Sequence, residues 1–89
     1  MFTWDEAKRQ GNREKRGIDF ADVEQFDFAT AFTYVDDRFD YGEVREIALG
    51  FIKKRLHVLV FTRRGDDVHV ISLRKANDRE IRRYAQAIP

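Results

Sequence analysis

At 89 residues and 10.6 kDa the chain is a single small domain, of a size that buries roughly 60–65% of the surface its unfolded form exposes. Seventeen lysines and arginines against sixteen aspartates and glutamates leave a net charge of +1, so the total alone singles out no polyanionic partner. The lack of cysteine excludes a disulfide framework and a thiolate metal site; with no transmembrane-length apolar run and no signal-peptide pattern, a soluble cytoplasmic protein is expected.

Phe2-Thr3-Trp4 reads as a short strand, after which Asp5 can cap a helix running to about Arg16. Gly17 suits the left-handed residue that ends such a helix. Its only small apolar positions, Ala7 and Gly11, lie i, i+4 and would let its backbone sit close to a sheet. Asp5, Lys8, Asn12 and Lys15 fall on one polar stripe at helical spacing. Asp19 opens a second, short helix carrying Phe20, Val23, Glu24 and Phe26.

Ala29 to Val35 alternates enough to be a strand, and residues 36–42 form a polar turn region. Glu43 to Ile52 reads as a strand with Ile47, Leu49 and Phe51 on one side. Lys53-Lys54 turns the chain into Leu56 to Thr62, and Val68 to Leu73 is the hairpin partner across a Gly-Asp turn. Asn77 and Glu80 have the capping-box form, and Ile81, Tyr84, Ala85 and Ile88 make an apolar stripe on a last helix. The order is strand, two helices, four-strand meander, helix: an α+β domain with an antiparallel sheet.

Charge is unevenly spread. Acids gather between Asp19 and Glu46, bases in Lys8 to Arg16, Lys53 to Arg64 and Arg74 to Arg83. Arg63 and Arg64 close one hairpin strand, and Arg74 and Lys75 close the other. Guanidinium groups suit bidentate phosphate recognition, so together with Phe2-x-Trp4-Asp5 the hairpin admits an RNA-directed reading.

The chain resembles the BrnT toxins of bacterial type II toxin–antitoxin systems. The resemblance starts in Phe2-x-Trp4-Asp5-x-x-Lys8-x-x-x-Asn12-x-x-Lys15-x-Gly17 with Phe20 behind it. It continues through Gly42-Glu43-x-Arg45, Gly50, Phe61-Thr62-x-Arg64-Gly65 and Val70-Ile71-Ser72-x-Arg74-Lys75-Ala76, then Glu80 and Tyr84. It implies a RelE-like fold, ribonuclease activity that requires no metal or other cofactor, and neutralisation by a BrnA-type antitoxin. It also implies binding to promoter DNA, but only through the antitoxin complex. The chain departs from the family's usual residues at Arg16 (histidine), His69 (arginine) and Leu73 (alanine). Arg16 thereby removes a possible proton-transfer group.

Metal-free RNA cleavage needs a base for the 2′-hydroxyl, stabilisation of the phosphorane and a proton for the leaving oxygen. Arginine serves the second need. The family pattern, more than spacing, favours Arg74, with Ser72 beside it on the same face as a donor to phosphate. The structural alternative is an ion pair of Arg74 with Glu43 or Glu80. Arg63 and Arg64 point to opposite faces, and the resemblance favours Arg64, leaving Arg63 as a solvated turn residue.

Glu43 and Arg45 form an i, i+2 pair. Glu43 could act as base, although its arginine neighbour counts against it, and a cross-strand salt bridge is an equal reading. Lys8, Asn12, Lys15, Arg45 and Lys75 are the candidate substrate contacts, with a plain solvated face as the alternative for the helical three. His57 and His69 are the only groups that ordinarily titrate near neutrality, and both read first as filler at the core edge. Trp4 and Tyr84 could stack on bases, but packing between sheet and helix is preferred.

The expected activity is cleavage of single-stranded or structured RNA, leaving a cyclic or 3′-phosphate. Arg64 and Arg74 would stabilise the phosphorane, Lys8 and Lys15 would hold the backbone, and Glu43 would be the base. A second reading is a non-catalytic protein acting with its antitoxin as a promoter-bound repressor. A third is a plain RNA-binding module, marked by salt-dependent binding without cleavage.

Overall fold

The hairpin that dominates the sequence is also the middle of the sheet. The computed structural model describes residues 1–88. Strands β4 (Arg55–Arg64) and β5 (Asp67–Lys75) pair antiparallel, and Gly65 takes the positive φ of 60° that their tight turn requires. On the far side of β4 lies β3 (Arg45–Ile52), and outside it β2 (Phe32–Asp36). β1 (Phe2–Trp4) closes the other edge, running parallel to β5 with Thr3 opposite His69.

The sheet therefore has five strands in the order β1-β5-β4-β3-β2 and is mixed, which corrects the antiparallel expectation. The physical reason is that β5 would otherwise present an open edge at Val68–Val70, and the N-terminal strand covers it. Parallel pairing between strands so distant in sequence leaves no local turn signature.

Helix α1 (Glu6–Arg16) begins and ends as its residues dictate. Asp5 accepts from the Lys8 amide, and Gly17 at φ 70° ends the helix. Its packing differs from expectation. Ala7 is exposed, and a Cβ on Gly11 would meet nothing within 4 Å. The helix instead turns buried Asn12 inward, whose amide nitrogen donates to the carbonyls of Ile18 (2.9 Å) and Leu73 (2.8 Å). Beyond β1 the edge carbonyl of Leu73 needs a donor, and Asn12 supplies it.

Residues Phe20–Gln25 form a 3₁₀ helix capped by Asp19. It inserts Phe20 and Val23 into one sheet face, against Ala48, Leu59, Phe61, Val70 and Leu73. Burying each of the larger of these side chains contributes about 1.5–3 kcal/mol. Phe26 approaches so closely that a Cβ on Gly50 would lie 2.5 Å from its Cζ, so any other residue there would displace the Phe26 ring.

The opposite face holds Ile47, Leu49, Leu56, Val58 and Ala76, joined by Phe32, Tyr34, Phe51, Val60 and Tyr84. Helix α2 (Asp78–Ala87) lies at this end, and its capping box between Asn77 and Glu80 forms as the sequence indicates. Its apolar stripe is weaker than expected, since Ile81 and Ala85 are exposed and no residue of the helix is fully buried. Tyr84 anchors it through its ring against Phe51 and its hydroxyl, which donates to Thr30 O at 2.8 Å.

Candidate nucleic-acid interface

The α2 face of the sheet changes character along its length. Near α2 its rows are apolar. Toward the hairpin tip, strand registers align one polar residue from each strand: Asp36 on β2, Arg45 on β3, Thr62 on β4, His69 on β5 and Thr3 on β1. Arg45 is one step beyond the Glu46–Phe61 pair, level with Thr62. At ~4.8 Å between strands the row spans roughly 19 Å. Arg64 stands above it, beside the loop that carries Glu43.

Each member of the row has a distinct environment. Asp36 is buried and accepts from Arg38 Nε (2.8 Å) and Nη2 (2.9 Å) and from the Tyr41 hydroxyl (3.0 Å), so the Arg38 hydrogen bonds outweigh burial, which acts the other way, and the carboxyl lies well below the usual range. That knot holds residues 36–41 over the sheet end. Arg45 stacks 4.0 Å from the Tyr41 ring centroid. Its Nε is buried with no hydrogen-bond partner among the described residues, and Glu43 Oε2 at 3.9 Å is too far to serve. Thr62 spends its hydroxyl on Val44 O at 2.7 Å.

His69 Nδ1 and Thr3 Oγ1 lie 2.8 Å apart. Burial, followed by the positive charge of Arg64, lowers the His69 pKa from its ordinary value of 6.5. Lys8 acts in the same direction, while Glu43 and Asp5 oppose it.

Arg64 and Arg74 share this face but do not converge. Arg64 pairs with Asp67 and Arg74 with Val58, six residues from Arg64 along β4, or roughly 20 Å. Arg74 is tied to Glu80, so the two guanidinium groups are not brought together as joint action at one phosphorane would need. Their engagement differs as well. Arg64 is 56% exposed and meets Glu43 once, at 3.5 Å, leaving most of its donors free. Arg74 is 28% exposed and doubly bonded to Glu80, both contacts at 2.7 Å. The ion pair is thus the geometry Arg74 adopts.

Ser72 is half-buried opposite Val60, on the Arg74 face and next to Ile71, the extra residue of a β-bulge. Together with Lys8, Lys15 and Arg16 of α1, it lines a shallow recess of about 270 Å³ beside β5. Two candidates are absent from this face. Asn12 is buried with its amide engaged by two carbonyls. Lys75 pairs with His57 on the opposite face, where strand alternation puts it. Arg63 also lies there, bound to Glu46 at 2.7 Å.

His57 is buried with Nδ1 on Arg55 O at 2.8 Å, and Trp4 packs against the core with its indole N–H donating to Glu6 at 3.2 Å, so both take the packing role. The Thr3–His69 pair and the Arg45–Tyr41 stack were missed. Nothing local marks either, since one depends on β1 pairing with β5 and the other on the fold of the 36–41 loop. Among the described residues no group of three or more His, Asp or Glu side chains is placed to hold a metal ion.

Fold and surface together define a small α+β protein whose sheet face bears a polar row flanked by arginine. A family model described as the ribonuclease toxin BrnT of type II toxin–antitoxin systems matches residues 4–80, and the chain belongs to that family. The 1.1 Å crystal structure of the Brucella abortus ribonuclease toxin BrnT is similar, with a TM-score of 0.70 and 32% identity. The match covers 88% of this chain and 99% of that one. No curated protein matches the sequence.

Proposed function

We propose that the chain is an endoribonuclease toxin that cleaves RNA without a metal, by attack of the 2′-hydroxyl on the adjacent phosphate. Family membership supports an RNA substrate and an antitoxin partner. The finer reading is a RelE-like toxin neutralised by a BrnA-type antitoxin, with promoter DNA bound through that complex alone. The observation that carries the assignment to this face is the polar row Arg45–Thr62–His69–Thr3 with the exposed Arg64 above it.

In this reading Arg64 stabilises the phosphorane, because its guanidinium is exposed and scarcely engaged. Lys8 lies near enough to bias His69, and together with Lys15 it holds the RNA backbone along the β5 edge. Ser72 donates to a phosphate oxygen. Arg45 supplies a second contact, and its orphaned Nε is the kind of buried donor that a phosphate or water satisfies. Glu43 lies 3.5 Å from Arg64 and 3.9 Å from Arg45, a position suited to orienting both. Arg74 keeps a structural part, fastening α2 to β5.

The test is end-labelled RNA incubated with the protein in EDTA, beside an identically purified Arg64→Ala variant. Cleavage by the wild type alone, leaving cyclic phosphate ends, is the expected result. Equal cleavage by both removes Arg64 from the site, and cleavage by neither removes the ribonuclease reading.

A further inference from the structure

We infer that His69 is the base that takes the 2′-hydroxyl proton, with its ring set by Thr3. The inference rests on the ribonuclease reading and deepens it. The chain has two histidines. His57 lies on the opposite face, buried, with its Nδ1 on a backbone carbonyl. His69 is the one that shares a face with Arg64.

Its geometry suits a proton acceptor. Nδ1–H donating to Thr3 Oγ1 at 2.8 Å is the tautomer that leaves the Nε2 lone pair unused. The residue is half-buried rather than buried, and Nε2 has no hydrogen-bond partner among the described residues. Thr62, directly opposite, does not compete, because its hydroxyl is committed to Val44 O.

The charges facing the ring come from three segments: Arg64 of β4, Glu43 of the loop before β3, and Asp5 and Lys8 at the start of α1. Burial and the two cations outweigh the two carboxylates, so the imidazole is neutral at pH 7, the form a base needs. Glu43, placed between two arginines, is a weaker candidate and serves to position them.

The step balances without a further reagent. The O2′–H bond breaks and its proton goes to Nε2. The O2′–P bond forms as the P–O5′ bond breaks, and solvent protonates the departing O5′. The products are a 2′,3′-cyclic phosphate and a 5′-hydroxyl.

His69→Gln keeps a polar group of similar size and removes the titration. In EDTA it is expected to lower kcat by about 100-fold while KM changes little. The acidic limb of the wild-type pH profile, with a midpoint below 6.5, is expected to vanish. His57→Gln, which removes the other imidazole, should keep that limb. Thr3→Val should lower kcat less than His69→Gln, and Thr3→Ser should restore it.

An NMR titration gives a readout apart from turnover. The His69 ring resonance, assigned against His57→Gln, should move when a non-cleavable 2′-deoxy oligonucleotide is bound. A His69→Gln protein with wild-type kcat and an intact acidic limb overturns the assignment, as does a His69 resonance unmoved at saturation. A wild-type protein that cleaves no RNA overturns the ribonuclease reading first, and this role with it.

Discussion

Arg74 and Glu80 meet through two parallel contacts of 2.7 Å, Nη1 to Oε1 and Nη2 to Oε2. The same Oε1 accepts from the Asn77 amide, so one carboxylate both caps α2 and ties it to the end of β5. With no fully buried residue of its own, α2 depends on this tie and on Tyr84.

Arg74→Ala should therefore act on stability. It strands a Glu80 side chain that is 19% exposed, at a cost of about 2 kcal/mol. Urea unfolding should show a lower midpoint, and replacing both partners by apolar residues of similar size should recover much of it. An Arg74→Ala protein with the wild-type midpoint but no cleavage would return this arginine to the substrate.

Asn12 bridges Ile18 and Leu73, and nothing apolar can replace it there. Asn12→Leu leaves two buried carbonyls without their donor and should cost roughly 2–3 kcal/mol, read from the urea midpoint. Well below its melting temperature the variant should bind RNA as the wild type does. A selective loss of RNA binding at unchanged stability would contradict the structural role.

These two residues show where sequence stops informing. Asp5, Gly17, Asn77 and Glu80 act within a few residues of themselves, and the caps they form were legible from spacing alone. The faces of Arg63 and Arg64 followed from strand alternation. Asn12 stood out only as part of the polar stripe on α1, because its partner Leu73 lies 61 residues away on the β5 edge. Arg74 was recognisable as a residue of interest, yet spacing could not choose between phosphate and Glu80. Hairpin register aligns His69 with Thr62, but Thr3 joins that row only when β1 pairs with β5, a contact without a sequence pattern.

Acid should destabilise the protein in two stages. His57 and His69 have pKa values below the ordinary 6.5, through burial first in each case. The unfolded chain therefore takes up these protons before the folded one, and stability falls as pH drops below about 6.5. Asp19 is held at about 2 by Arg9 and the Ala21 amide, and Asp36 is lowered by Arg38. Their contribution is complete above the ordinary 3.8 and is lost as pH falls through their folded values. Urea midpoints measured across pH should show both stages. His57→Gln should flatten the first, and Asp36→Asn should lower stability at neutral pH while flattening the second. A midpoint constant down to about pH 4 would contradict the histidine contribution.

Arg64 and Lys75 test which face meets RNA, because both are exposed cations and the sheet separates them. Each phosphate contact on a single strand adds about 0.7 to the slope of log affinity against log salt. Arg64→Ala should reduce that slope by about this amount and weaken binding across sequences, with little change in urea midpoint. Lys75→Ala, on the face that carries His57, should leave the slope unchanged. Arg63→Ala should do the same, since its guanidinium is bound to Glu46 on that face. A reduced slope for Lys75→Ala with none for Arg64→Ala would move the RNA to the sheet face that carries His57, and the polar row would lose its part in catalysis.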